Sequence, residues 1–338
     1  MLKAVITYGA VAAKVRALKG TMLTEEELHQ LCLCSSLAEA AAFLRRHPGY
    51  SSAVEALPAA NITLPQLQNA LKYQWMEQFR RLYRFASAKD RKYISFAIWH
   101  TEMKVILSAI RRLQSPETPE PEEPVSEFFA AKSGIDLNDI ADCRDYGALL
   151  RAVKGSVFYD VLYALPRDEK SGLPDYANAD IAMQNHLYTQ TWALLSKGQS
   201  TAGIKKMKEL LGHEADLLNI VHAMRLRRFS KNVSGLIPIS HRLKPEITAA
   251  IAAAANEDEV ESILTASGWI KHFSDGVKAP EKQYRRQMEA FCRRLLKSAE
   301  PNFCFVQAYL TLKELERDKL ISIVQAIDYG IDPTTVLN

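Results

Sequence analysis

Apolar residues recur at spacings of three, four and seven through most of this chain, which is the pattern of one buried face on an α-helix. Alternating runs of β-branched and polar residues, which are typical of half-buried strands, are nearly absent. Glycine and proline number only 14 each, so few positions interrupt the helical pattern. We therefore predict an all-α fold.

One acidic helical pattern occurs three times, at intervals of roughly one small domain. Each copy has an acidic residue, an aliphatic residue four positions later and a long polar residue nine positions later. The aligned sets are Glu102, Ile106 and Arg111; Asp216, Ile220 and Arg225; and Glu316, Leu320 and Gln325. This spacing keeps the apolar positions on one helical face and predicts a threefold internal repeat.

Upstream of each copy, a polar start leads into a predicted pair of short helices. Thr24 and either Asn138 or Asp139 have side chains that cap the free N–H groups of a helix, and Pro245 suits a first helical turn. Each module is therefore predicted to be a helical pair followed by longer helices. We interpret the aromatic residues of these longer helices as core anchors: Tyr73, Trp75, Phe79, Tyr188, Trp192, Tyr284 and Phe291.

Proline-rich and glycine-containing segments mark the predicted boundaries. The segment 115–127 combines four prolines with repeated glutamates, which predicts a solvated linker. Further breaks are predicted from about Ala164 to Tyr176 and near Ser234 to Pro238. The predicted organisation comprises modules at 1–114, 128–229 and 230–330, each roughly 100 residues long, and a C-terminal tail at 331–338.

Composition and charge indicate a soluble, folded chain. Hydrophobic residues make up 48% and charged residues 24%, and no stretch approaches the roughly 18 apolar residues that a membrane-spanning helix needs. The N-terminal apolar run at 4–13 continues into a basic helical pattern and does not match a signal peptide. A formal net charge of +4 gives little support to nucleic-acid binding.

Residue types that serve catalysis or metal binding do not occur in the required spacing. The five cysteines are an odd number without paired metal-ligand spacing, which favours ordinary burial in a reducing compartment. His213 and His222 are not four residues apart, as two zinc ligands on one helical face would be. Ile204 occupies the position of a phosphate-loop lysine. We expect no catalytic residue, metal, cofactor or small-molecule substrate.

The opening segment, Tyr8 to Gly20 followed by Leu23 to Glu26, resembles the start of the C subunit of bacterial and archaeal V/A-type ATPases, which is related to the d subunit of the eukaryotic V-ATPase. The repeated acidic pattern is similar to that family's recurring acid, asparagine, aliphatic residue and arginine. The second copy fits fully, with Asp216, Asn219, Ile220 and Arg225. The other copies depart from it, with Val105 and Lys319 in the asparagine column and Gln325 in place of arginine.

This resemblance implies a non-catalytic rotor subunit built as a funnel of three related helical domains. It implies a position on the cytoplasmic side of the membrane, where the funnel receives the central shaft and sits on the ring of ion-carrying subunits. It would then couple ATP hydrolysis or synthesis to proton or sodium transport. An alternative from the residues alone is a soluble helical-repeat adaptor unrelated to ion transport.

Two sets of residues are candidates for contact with partner subunits. Glu102, Asp216 and Glu316 either present carboxylates towards a common axis, where the shaft enters, or are exposed or locally hydrogen-bonded helix residues. The second set is a basic helix, which either meets an acidic protein surface or lipid headgroups, or is a solubilising face. Its residues are Lys282, Arg285, Arg286, Arg293, Arg294 and Lys297.

Overall fold

The computed structural model describes residues 2–115, 125–198, 200–229, 235–273, 276–298 and 300–337. Within them the secondary structure is helical apart from one isolated bridge between Arg167 and Pro174, which confirms the predicted all-α fold. The α-helices are α1 (Leu2–Lys19), α2 (Glu25–Cys32), α3 (Leu37–Arg46), α4 (Ser51–Val54), α5 (Leu64–Tyr83), α6 (Ala88–Arg91), α7 (Phe96–Gln114), α8 (Glu127–Ala130), α9 (Leu137–Ala141), α10 (Tyr146–Ala152), α11 (Tyr159–Ala164), α12 (Tyr176–Lys197), α13 (Ala202–Phe229), α14 (Pro245–Ala253), α15 (Glu257–Ala266), α16 (Pro280–Leu296) and α17 (Cys304–Asp328).

The chain forms two compact units. The first comprises Met1–Ile94, Pro121–Lys132 and Leu295–Asn338, and the second comprises Ser95–Glu120 and Ser133–Arg294. The C-terminal helix α17 thus belongs to the same unit as the N-terminal helices. The three predicted modules describe the sequence repeat, and their boundaries stay a prediction. Most of the predicted linker, at 116–124, lies outside the described residues.

Helix α17 organises the core of the first unit. It packs along α5 and also contacts α1, α2 and α3. Its residues Leu320, Ile323 and Val324 are fully buried in a cluster with apolar residues of α2, α3 and α5. These positions follow the three-and-four spacing of the sequence, so the predicted apolar face is the face that packs. Residues Pro333–Val336 form a short 3-10 helix that contacts α17 and α2.

The second unit is built around three long helices. Helix α12 packs against α7 and α13, while α7 also contacts α9 and α10. Helix α13 packs against α14, which in turn contacts α15. The loop between α11 and α12 comprises residues 165–175, which confirms the break predicted from about Ala164 to Tyr176. Each predicted helical pair therefore precedes a longer helix, as α9 and α10 precede α12.

Capping residues explain where several helices begin. Thr24 accepts a hydrogen bond from the Glu27 N–H, and the Glu27 carboxylate accepts one from the Thr24 N–H, which confirms the predicted cap and completes a capping box. Pro245 occupies the first turn of α14, as predicted. Helix α9 begins at Leu137, so Asp139 lies within the first turn instead of capping it.

Most of the predicted aromatic anchors are covered. Trp75, Phe79 and Tyr188 are buried, and Trp192, Tyr284 and Phe291 are half-buried. Tyr73 is a correction, because 44% of it is exposed. It lies two positions before Trp75, and residues two apart on a helix point about 160° away from each other. Across the described ranges, we find no helix that is both long and apolar enough to span a membrane.

Candidate functional site

Glu316 lies near the middle of α17 and its side chain is buried. Its Oε1 accepts a hydrogen bond from the backbone N–H of Leu23 at 2.6 Å, and its Oε2 accepts one from the Tyr50 hydroxyl at 2.7 Å. Leu23 directly precedes Thr24, the N-cap residue of α2. The acid of the third repeat therefore fixes the start of the first helical pair.

Lys313 completes this site with a buried positive charge. Its Nζ lies 2.6 Å from Glu316 Oε2 and 3.9 Å from the centre of the Tyr50 ring, and its side chain is 3% exposed. Burial lowers the pKa of Lys313, while burial and the neighbouring carboxylate raise the pKa of Tyr50 well above its ordinary value. A buried charge is stable only with partners of this kind, so the members of the site depend on one another.

Asp216 holds a second segment in the same way. It is fully buried on α13, where its Oδ1 accepts from the His241 N–H at 3.1 Å and its Oδ2 accepts from the Arg242 N–H at 2.8 Å. One turn later, the Asn219 amide donates to the Ile237 carbonyl at 2.9 Å and accepts from the Ile237 N–H at 2.7 Å. Burial raises the pKa of Asp216, and the backbone hydrogen bonds oppose that rise. Together the two residues fix the segment before α14.

Glu102 is the equivalent residue on α7, and 2% of it is exposed. Its Oε1 accepts hydrogen bonds from the Ser133 hydroxyl at 2.7 Å and the Gly134 N–H at 3.1 Å. Its Oε2 accepts one from the Ser156 hydroxyl at 3.3 Å. Gly134 lies against Gly155, where an added Cβ on either residue would meet the carbonyl oxygen of the other. Glu102 therefore fixes the segment before α9.

The three acids follow a cyclic order along the repeats. The acid of the first repeat binds the start of the second helical pair, that of the second binds the start of the third, and that of the third binds the start of the first. The sequence left open a place at a common axis or an exposed or locally hydrogen-bonded position on a helix; in the structure all three side chains are buried and accept hydrogen bonds inside their own unit. A role for Glu102, Asp216 and Glu316 at a partner interface stays a prediction.

Most of the predicted basic residues at α16 are exposed. Arg285, Arg286, Arg293, Arg294 and the following Lys297 are exposed, and Lys282 is half-buried. The two acids of the helix already have arginine partners. Arg293 lies 2.7 Å from Glu289, and Arg225 of α13 lies 2.8 Å from Glu281. Helix α16 therefore keeps a net positive surface after these pairs are counted.

A histidine cluster in the second unit was not predicted. The His213 ring stacks on Phe291 at 4.5 Å and lies 5.6 Å from His272. Burial lowers the pKa of His213 to about 4, and the nearby charges of His272 and Arg294 contribute. Burial likewise lowers the pKa of His222 to about 4. The sequence gives no local signal for this cluster, because its members come from α13, α16 and the segment after α15.

These histidines predict a stability that depends on pH. The unfolded chain binds protons at His213 below about pH 6.5, whereas the folded chain does so only near pH 4. The unfolded state therefore binds more protons in this window, and stability rises with pH there. When the pH is lowered from 7 to 5, the free energy of unfolding of the unsubstituted chain falls. We expect this fall to be about 1–2 kcal/mol smaller in His213→Gln.

Urea denaturation at the two pH values measures this difference. The control is His29→Gln, which replaces an exposed histidine and should leave the pH dependence unchanged. An unaltered pH dependence in His213→Gln would contradict a neutral, buried His213.

Comparison with known proteins identifies the family of this chain. The family described as ATP synthase (C/AC39) subunit matches residues 11–338. The C subunit of the A-type ATP synthase of Methanosphaera stadtmanae is 23% identical over 225 residues, which cover 64% of this chain and 53% of that protein. The chain thus spans about half the length of this curated relative. The resemblance noted in the sequence is confirmed.

The match extends over all three repeats of the acidic helical pattern and both compact units. The family's description names a subunit of an ATP synthase. From residue 11 to its last residue, the chain belongs to the ATP synthase C/AC39 subunit family of V/A-type ATPases.

Proposed function

We propose that this protein is a non-catalytic central-stalk rotor subunit of a V/A-type ATPase. In this role it receives the central shaft, sits on the membrane ring of ion-carrying subunits and couples ATP hydrolysis or synthesis to proton or sodium transport. The observation that carries the proposal is the family match over residues 11–338. The proposal includes a funnel of three related domains, held peripherally on the cytoplasmic side of the membrane.

The three acidic sites support this role physically. A part that transmits torque must resist deformation, and close-packed protein interiors transmit strain. Each site joins the middle of a long helix to the start of a helical pair through a buried carboxylate. In this proposal Glu102, Asp216 and Glu316 serve assembly indirectly, by keeping those segments in place. The basic side of α16 is then the candidate for direct contact with a partner.

Affinity capture tests the proposal. The tagged chain is purified from gently solubilised native membranes, washed with salt, and everything retained is identified. We expect the central-shaft subunits and the ring subunits in fixed stoichiometry, and no ATPase activity from the chain alone. Recovery of only soluble partners, without ATPase subunits, would contradict the rotor role and favour the helical-repeat adaptor.

A further inference from the structure

The outer side of α16 forms one continuous basic stripe. Arg285, Arg286 and Arg293 each lie within about 60° of the Lys282 direction when residues are placed at 100° intervals around the helix. At 1.5 Å per residue, the stripe extends about 16 Å along the helix. Met288, Cys292 and Leu296 of α16 are buried, whereas Arg285, Arg286 and Arg293 are exposed and Lys282 is half-buried. The stripe therefore faces outward over three turns.

Charge pairing within the chain leaves this stripe positive. Glu289, the one acid within it, is paired with Arg293, and Glu281 at its edge is paired with Arg225. Lys282 and Arg285 belong to neither of these two pairs, so their positive charges remain in addition. Arginine guanidinium groups match the geometry of carboxylates, to which they donate two parallel hydrogen bonds. The complementary surface is therefore one that presents carboxylates.

A lipid surface fits the stripe less well than a protein surface does. Helices that bind in the plane of a membrane combine basic residues with an exposed apolar face. Here the apolar side of α16 is used inside the chain. Phe291, one of the two aromatic residues of the helix, is half-buried and lies under the Arg294 guanidinium at 5.0 Å. Of the described residues, the large exposed apolar ones lie on other elements: Leu33, Tyr73, Phe85, Tyr163, Tyr329 and Ile331.

We infer that the stripe of Lys282, Arg285, Arg286 and Arg293 on α16 docks an acidic face of another protein subunit of the complex. The inference rests on the proposed function, because it takes the partner from the same ATPase. Attraction between exposed charges acts over about 10 Å at 0.1 M salt, so binding through the stripe weakens as salt is raised.

Binding of the chain to inverted membrane vesicles tests this inference. The vesicles come from cells in which the gene for this chain has been deleted, so that its place in the ATPase is open. The stripe variant carries Lys282→Gln, Arg285→Gln and Arg293→Gln. The control variant carries Arg144→Gln, Arg151→Gln and Lys154→Gln, which removes three exposed charges elsewhere in the same unit. Thermal melting followed by circular dichroism checks that both variants are folded.

We expect the stripe variant to bind about tenfold more weakly than the unsubstituted chain at about 50 mM salt, and to lose most of its salt dependence. The control variant should bind within about twofold of the unsubstituted chain. The inference is overturned if the stripe variant binds as tightly as the unsubstituted chain, or if the control variant loses as much affinity as the stripe variant. Either result leaves the rotor role standing. Failure of the unsubstituted chain to bind these vesicles overturns both.

Protein-free vesicles separate the two sources of negative charge. They contain phosphatidylglycerol, an anionic lipid, in phosphatidylcholine. We expect the unsubstituted chain to bind these protein-free vesicles at least tenfold more weakly than the ATPase-containing vesicles. Equally tight binding that is lost in the stripe variant would overturn the protein partner and assign the stripe to lipid headgroups.

Discussion

Lys313→Met is expected to lower the free energy of unfolding by about 3–5 kcal/mol, because it leaves the Glu316 carboxylate in a buried site without its positive partner. The two side chains are 3% and 5% exposed and form an ion pair at 2.6 Å. Methionine has a similar length and no charge, so the packing against the Tyr50 ring changes little. The loss is therefore chiefly electrostatic. Urea denaturation of the isolated chain measures it.

The chain contains a matched control for this pair. Lys206 and Glu209 have the same spacing of three on α13 and a similar separation of 2.8 Å, but their side chains are 42% and 38% exposed. Exposed pairs of this kind contribute about 0–1 kcal/mol. Lys206→Met should therefore cost less than about 1 kcal/mol. A loss for Lys313→Met no larger than that of Lys206→Met would show that burial does not set the strength of the Glu316 site.

A double substitution separates the pair from its surroundings. Lys313→Met with Glu316→Leu removes both charges, so no unpaired charge remains buried. We expect the double variant to lose less stability than the sum of the two single losses, with a coupling of about 1.5–3 kcal/mol. Leu23 and Tyr50 still lose their acceptor in the double variant, so part of the loss remains. Additive losses would contradict a direct interaction between the two charges.

The sequence predicted the helices well because local patterns determine them. Thr24 was predicted as a cap from its residue type and position, and in the structure it caps α2 and forms a capping box with Glu27. The loop between Ala164 and Tyr176 contains Pro166, Gly172 and Pro174, and proline in a helix interior removes a backbone hydrogen bond and clashes with the preceding turn. Tyr73 was predicted to be buried because it is aromatic, but its position around the helix points it away from the buried face, and it is exposed.

The acidic sites were located by the sequence and understood only from the structure. The repeat placed Glu102, Asp216 and Glu316 at one position of the pattern, but an acidic residue on a helix is exposed in most proteins. Their burial depends on donors that lie far along the chain, such as the Leu23 N–H, 293 residues from Glu316. One sequence contains no signal for such a contact. The repeat pattern also does not identify Lys313 as the ion-pair partner of Glu316, because the lysine that the pattern aligns in the third copy is Lys319.

Asp216→Ala is expected to cost about 3–4 kcal/mol in the isolated chain, since two backbone N–H groups in the segment before α14 lose their acceptor in a buried site. Asp216→Asn should cost less, about 1–2 kcal/mol, because its amide oxygen still accepts from one of the two donors. The control is Glu209→Ala on the same helix, where an exposed acid is removed at an expected cost below about 1 kcal/mol. Urea denaturation without any partner gives all three values.

The same three variants distinguish an internal role for Asp216 from a direct role at a partner interface. A side chain that acts only in a partner contact leaves the stability of the isolated chain within about 0.5 kcal/mol, as surface substitutions usually do. If the carboxylate holds the segment at His241 and Arg242, its substitution lowers the stability of the isolated chain directly. Assembly is weakened only as a consequence, because the loosened segment precedes α14. We therefore expect Asp216→Asn to keep more of the captured ATPase subunits than Asp216→Ala, in proportion to its remaining stability. Loss of those subunits from an Asp216→Asn chain of unchanged stability would contradict the internal role.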